Sequence, residues 1–158
     1  ETLGRSLSQG EKKANPLALA ALMDNNWFKF PVKDELYRDT LERKSRGLPP
    51  GLFTDWEYIL VFNHKDKEYL ERLRAAVLLA RGIKFVKEDM GKIRLLGEYS
   101  GNKEVIIYEP KRIGEEKVQT REGWNGCVGV IKFAFKAFLK KQLGWVQPSP
   151  AKSQTAHD

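Results

Sequence analysis

Tyr58-Ile59-Leu60-Val61-Phe62-Asn63, followed by a mixed charged and apolar run to Gly82, decides the fold. The apolar run is continuous and rich in β-favouring side chains, as expected of a strand covered on both faces in a parallel sheet. Asn63 then stands where a helix N-cap belongs. After it Tyr69, Leu70, Leu73, Ala76, Val77 and Ala80 recur at helical spacing. The stretch therefore predicts a central strand feeding directly into a helix.

Downstream, Ile93-Arg94-Leu95-Leu96 reads as a second strand, and Val105-Ile106-Ile107-Tyr108 as a short extended piece beyond the turn residues Ser100-Gly101-Asn102. A last helix is expected from about Trp124 to Gln142. Its face of Trp124, Val128, Ile131, Phe135, Phe138 and Leu139 is apolar, and Lys132, Lys136, Lys140 and Lys141 line the other side. Upstream, Gly47-Leu48-Pro49-Pro50-Gly51 must interrupt any helix. Asn15 is placed to cap a short helix with Pro16 in its first position, ending at Asn25-Asn26. Trp27 to Val32 reads as extended, and Lys33 to Lys44 as a second helix. The expected organisation is a flexible arm over 1–15, a helical segment over 16–44, an α/β domain over 45–146 and a disordered polar tail over 147–158. The fold class is α/β, a small parallel sheet flanked by helices.

At 158 residues with 41% hydrophobic content, the chain is long enough for one domain with a real core. It contains no apolar run of membrane-spanning length, and Glu1-Thr2-Leu3-Gly4-Arg5 lacks the pattern of a signal peptide. An intracellular, cytoplasmic protein is expected. The first residue is not Met, so a processed chain or part of a longer one is also expected. Cys127 is the single cysteine, too few for an internal disulfide or a multi-cysteine metal site. His64 and His157 have no ligand-type neighbours at metal-binding spacing. Neither a metal nor a cofactor is implied. The net charge of +7 favours acidic partners such as RNA, anionic lipid or an acidic protein face, but the basic residues are scattered, several as doublets, and no aromatic RNA-binding motif is present.

Three blocks together resemble the low-molecular-weight protein tyrosine phosphatase family. The first is Ser45-Arg46-Gly47-Leu48-Pro49-Pro50-Gly51-Leu52-Phe53-Thr54-Asp55-Trp56-Glu57 running into the strand that ends at Asn63. The second is Lys92-Ile93-Arg94-Leu95-Leu96-Gly97-Glu98-Tyr99, with Val105-Ile106-Ile107-Tyr108-Glu109-Pro110 after it. The third is the closing helix with Cys127 and Phe138-Leu139-Lys140-Lys141. The resemblance implies a phosphatase I-like sheet of four parallel strands, of which the divergent first 44 residues would have to supply two. Either residues 27–32 add a strand, or the N-terminal part is incomplete, or a partner covers the open edge.

The same resemblance implies a chemistry that this sequence lacks. The family's phosphate-binding loop, a Cys and an Arg-Ser pair separated by five residues, generates a thiolate nucleophile. No cysteine precedes Cys127 here. Glu109 stands at the position of the family's general acid, normally Asp. Lys111 and Arg112 replace the aromatic wall, and together with Lys92 and Arg94 they form a candidate basic edge for phosphate groups or an acidic partner. The leading expectation is a catalytically inactive phosphatase-like subunit that binds a protein partner within a complex. An active phosphatase whose loop lies outside this sequence, and a basic RNA- or ribonucleoprotein-associated protein, are the alternatives.

Overall fold

The computed structural model describes residues 13, 15–25, 38–39, 42–44, 47–82 and 92–145. The expected extended segment over 27–32 and the tail over 147–158 lie outside the described residues, as do most of the arm over 1–15 and most of the helix expected over 33–44.

A helix α1 spans Pro16–Asp24, with Asn15 Oδ1 accepting from the Leu17 amide at 2.9 Å and proline in the first turn as anticipated. A single turn α2 spans Leu52–Asp55, immediately past the Pro-Pro-Gly break. Strand β1 is Ile59–Val61 and strand β2 is Ile93–Leu95. They pair in parallel, with Ile59 opposite Ile93 and Val61 opposite Leu95. Between them runs α3, His64–Ala80, and the chain closes with α4, Arg121–Leu143. Among the described residues this is an α/β arrangement around a two-stranded parallel sheet. Val105–Tyr108 is extended as expected but adds no strand. Its one ladder-type bond, from the Ile107 amide to the Phe62 carbonyl at 2.9 Å, ties it across the carboxyl end of β1.

Strand alternation sorts the core into two layers. Ile59, Val61, Ile93 and Leu95 face α2 and α3, where they meet Leu52, Phe53, Leu70, Leu73 and Val77. Tyr58 and Leu60 face the opposite way, into Val130, Ile131, Phe135 and Phe138 of α4. Leu95, 1% exposed, is the most completely buried large side chain. Burying a side chain of that size stabilises by about 2 kcal/mol relative to leaving it in water.

Two local details differ from the sequence expectation. The inward line of α3 is Leu70, Leu73, Arg74, Val77 and Leu78, while Tyr69, Ala76 and Ala80 are exposed. The expected stripe is rotated because Leu78 and Arg74, 8% and 5% exposed, take buried positions while Ala76 and Ala80 face solvent. The helix cap is as expected, with Asn63 Oδ1 accepting from the Asp66 amide at 2.8 Å. After β2 the chain tightens into a 3-10 turn, Leu96–Tyr99. Here Gly97 is obligatory, since a Cβ at this position would lie 2.0 Å from the Val105 carbonyl oxygen.

Helix α1 lies against the first half of α4. Arg121 grips Asp24 bidentately at 2.7 and 2.8 Å, Asn25 Nδ2 donates to the Asn125 carbonyl at 3.3 Å, and Lys132 donates to the Asn25 carbonyl. Arg121 and Asn125 hold the Asp24 carboxyl below its ordinary value of 3.8. A depressed carboxyl pKa contributes stability that is present above the unfolded value and lost as pH falls through the folded one.

Two outcomes follow for stability. Gly97→Ala should destabilise by about 1–3 kcal/mol in urea unfolding, because backbone rather than a movable side chain blocks the added methyl. In acid titrations followed by circular dichroism below the ordinary carboxylate range, Asp24→Asn should show a smaller loss of stability than the parent chain.

Candidate functional site

The segment from Asn102 to Lys111 and the first half of α4 enclose a groove. The extended segment from Glu104 to Pro110 crosses this end of the sheet and continues into a small hairpin, where Ile113 and Val118 bridge in antiparallel fashion. Opposite it stands α4, started by Thr120, whose hydroxyl oxygen accepts from the Gly123 amide at 3.1 Å. Gly126 presents no side chain to the space, and a groove of about 640 Å3 opens between Ile106, Tyr108, Glu109, Gly126, Cys127 and Val130. The position beyond the carboxyl ends of the strands is where open α/β sheets take ligands.

Cys127 is half-buried on the groove wall, and its thiol donates to the Tyr108 carbonyl at 3.5 Å. Burial pushes its pKa above the ordinary thiol value, and the negative charge of Glu109 pushes it further in the same direction. Glu109 is exposed, and its carboxylate accepts from Gln119 Nε2 at 3.1 Å. Gln119 is a residue that sequence reasoning missed. The same amide nitrogen donates to the Pro110 carbonyl at 3.0 Å, and its oxygen accepts from Trp124 Nε1 at 3.1 Å. One glutamine thereby fixes the Glu109-Pro110 corner to the start of α4. No sequence pattern signals such a role, because these partners come from two separate segments, the Glu109-Pro110 corner and the start of α4.

The four basic residues expected to form one edge do not come together. Lys111 and Arg112 are exposed beside the groove, at the foot of the hairpin. Lys92 turns inward, its Nζ donating to the Phe53 carbonyl at 2.7 Å. Arg94 leaves β2 on the face opposite Ile93 and Leu95, and its guanidinium lies over the Tyr58 ring, 5.5 Å from the centroid. Its NH1 donates to the Tyr99 hydroxyl at 3.3 Å, the group that also accepts from Gln142 Nε2 at 3.1 Å. Gln142 and Gly126 are sixteen residues apart on α4, about 24 Å along the axis. Arg94 therefore belongs to the far end of the helix from Lys111. The alternation of β2 carries this information: a residue between inward Ile93 and Leu95 must face α4.

Among the described residues no group of His, Cys, Asp and Glu is placed to hold a metal ion, and no helix is long and apolar enough to cross a membrane. No family description, curated protein or solved structure matches the chain. The functional reading therefore rests on the residues themselves.

The electrostatics around Cys127 carry a direct expectation. The rate of iodoacetamide alkylation at Cys127 should rise only at pH above the ordinary thiol range. Glu109→Gln, which removes the neighbouring negative charge, should move that inflection to lower pH, measured by mass spectrometry of the modified peptide.

Proposed function

We propose that the chain is a catalytically inactive, phosphatase-like domain that serves as a structural or binding subunit of a larger assembly, with a protein as its partner. The observation that carries this reading is the state of the one thiol at the groove. Cysteine-dependent phosphoryl transfer needs a thiolate at neutral pH, and thiolates form where helix N-termini, cations or a base depress the pKa. Cys127 has the reverse environment, half-buried and facing a carboxylate. Its thiol is committed to a backbone carbonyl.

Glu109 keeps the position of a proton donor in the resemblance, but an acid alone forms no phosphoenzyme. The groove itself is suited to contact. Tyr108 is 60% exposed at its rim, and Ile113 and Val118 expose apolar surface on the adjoining hairpin. Aromatic and aliphatic side chains grouped with Lys111 and Arg112 have the makeup of a protein-binding surface, with an apolar centre and charged margin.

The deciding measurement is hydrolysis of a chromogenic aryl phosphate at about pH 5 to 6, where a carboxylic acid of raised pKa still donates. No turnover above background is expected. Turnover abolished by Cys127→Ser would overturn the reading and make the chain an enzyme with a relocated nucleophile.

A further inference from the structure

The outer side of α4 carries a pattern that neither the core nor the groove uses. Gly123 to Trp145 contain four lysines and neither Asp nor Glu. Lys132 donates to the Asn25 carbonyl, and Lys141 Nζ stands 5.9 Å from the Tyr99 ring centroid. Lys136 and Lys140 are exposed, and among the described residues neither makes an ion pair. Beside them Phe133 and Leu143 are 61% and 51% exposed. At 3.6 residues per turn Phe133, Lys136, Lys140 and Leu143 fall on one stripe about 15 Å long, opposite Ile131 and Phe138. Gly144 ends the helix in the left-handed conformation, and the Trp145 amide donates to the Leu139 carbonyl at 3.1 Å. That closing turn fixes Trp145, also an exposed residue, just past the end of the stripe.

Contact with water alone does not account for this face, since the solvent side of a helix is ordinarily polar. Complementing the helix dipole accounts for Lys140, in the last turn, but not for Lys136 or Phe133. A second copy of the stripe would set lysine against lysine, which repels. Single-stranded nucleic acid is held in a positively charged groove, whereas the stripe is the outer surface of a helix. It also contains no arginine, so no planar fork is present to read a phosphate or a carboxylate. Lysine ammonium groups on long stems, with bulky apolar side chains standing among them, match the charged and apolar levels of an anionic bilayer surface.

We propose that the outer face of α4 from Phe133 to Trp145 docks the folded domain on an anionic lipid surface. Phe133, Leu143 and Trp145 enter the headgroup region, and the ammonium groups of Lys136 and Lys140 stay at the level of the lipid charges. The helix lies along the surface and keeps its core face on the sheet. The Cys127 groove, whose lining on α4 ends at Val130, takes no part in this contact.

Cosedimentation of the full chain with phosphatidylcholine vesicles, with and without phosphatidylserine, tests this. Binding is expected only where phosphatidylserine is present, and it should weaken as salt is added. Lys136→Ala and Lys140→Ala should each weaken it about fivefold. Phe133→Ser should weaken it with no change of charge. Lys65→Ala is the charge-matched control and should leave binding unchanged, because Lys65 is exposed on α3, across the sheet from α4. The proposal is overturned by no preference for phosphatidylserine, by binding that both α4 lysine variants leave intact, or by an equal loss in Lys65→Ala. Single-stranded RNA titrated in parallel separates the other polyanion: RNA binding lost in the α4 lysine variants, without vesicle binding, also overturns the proposal and assigns the face to nucleic acid. Each substituted side chain is exposed, so the variants keep the fold and remain informative.

Discussion

Phe138 is the contact on which the packing turns. Its ring meets Tyr58 and Tyr99 edge-on at 5.3 and 5.4 Å and lies nearly parallel to Phe135 at 6.1 Å. These are favoured aromatic geometries, each stabilising by about 1 kcal/mol beyond the area it buries. Through this one side chain α4 is joined at once to β1 and to the turn that follows β2. Two strands of three residues cannot persist alone, and they do so here because both faces are sealed. Helices α2 and α3 seal one face, and Phe138 with its neighbours seals the other.

The same helix is divided by composition. Its second half is bulky and aromatic, and its first half contains Gly123, Gly126 and Gly129. A Cβ on Gly129 would lie 3.3 Å from Asn25 Oδ1, and one on Gly123 would lie 3.4 Å from Pro110 Cβ. The small residues thus let α1 approach on one side and the Glu109-Pro110 corner on another. Close approach by two segments from distant parts of the chain frames the groove. The half of α4 that anchors the core leaves no room for such approaches, and the half that admits them contributes less to the core.

Much of this arrangement was legible in the sequence. The run Tyr58 to Phe62, the Asn63 cap, the Asn15-Pro16 start and the apolar face of α4 each rest on local rules of period and capping, and each is where those rules put it. What the sequence left dark depends on contacts between distant segments. Val105–Tyr108 has a strand-like composition yet makes a single ladder bond, because it crosses the end of the sheet instead of running beside it. The four basic residues look like one set when they are read by type. The alternation of β2 and the length of α4 separate Arg94 from Lys111 and Arg112, and Lys92 is taken up by the Phe53 carbonyl. Gln119 could be recognised only once its three partners were in place.

The position of Cys127 within α4 limits what the groove can do. Only the first turn of a helix has free amide donors with which to stabilise an anion, and Cys127 is the seventh residue of α4. Its own amide is engaged in the helix, so no cradle of backbone donors faces its sulfur. A thiolate there would be opposed by burial and by Glu109, with nothing to offset either. Moving Glu109 away would relieve only the smaller of these two effects, since burial is the larger. Changing one residue therefore cannot convert this thiol into a phosphate-accepting nucleophile. Activating Cys127 would require rebuilding the start of α4 around it.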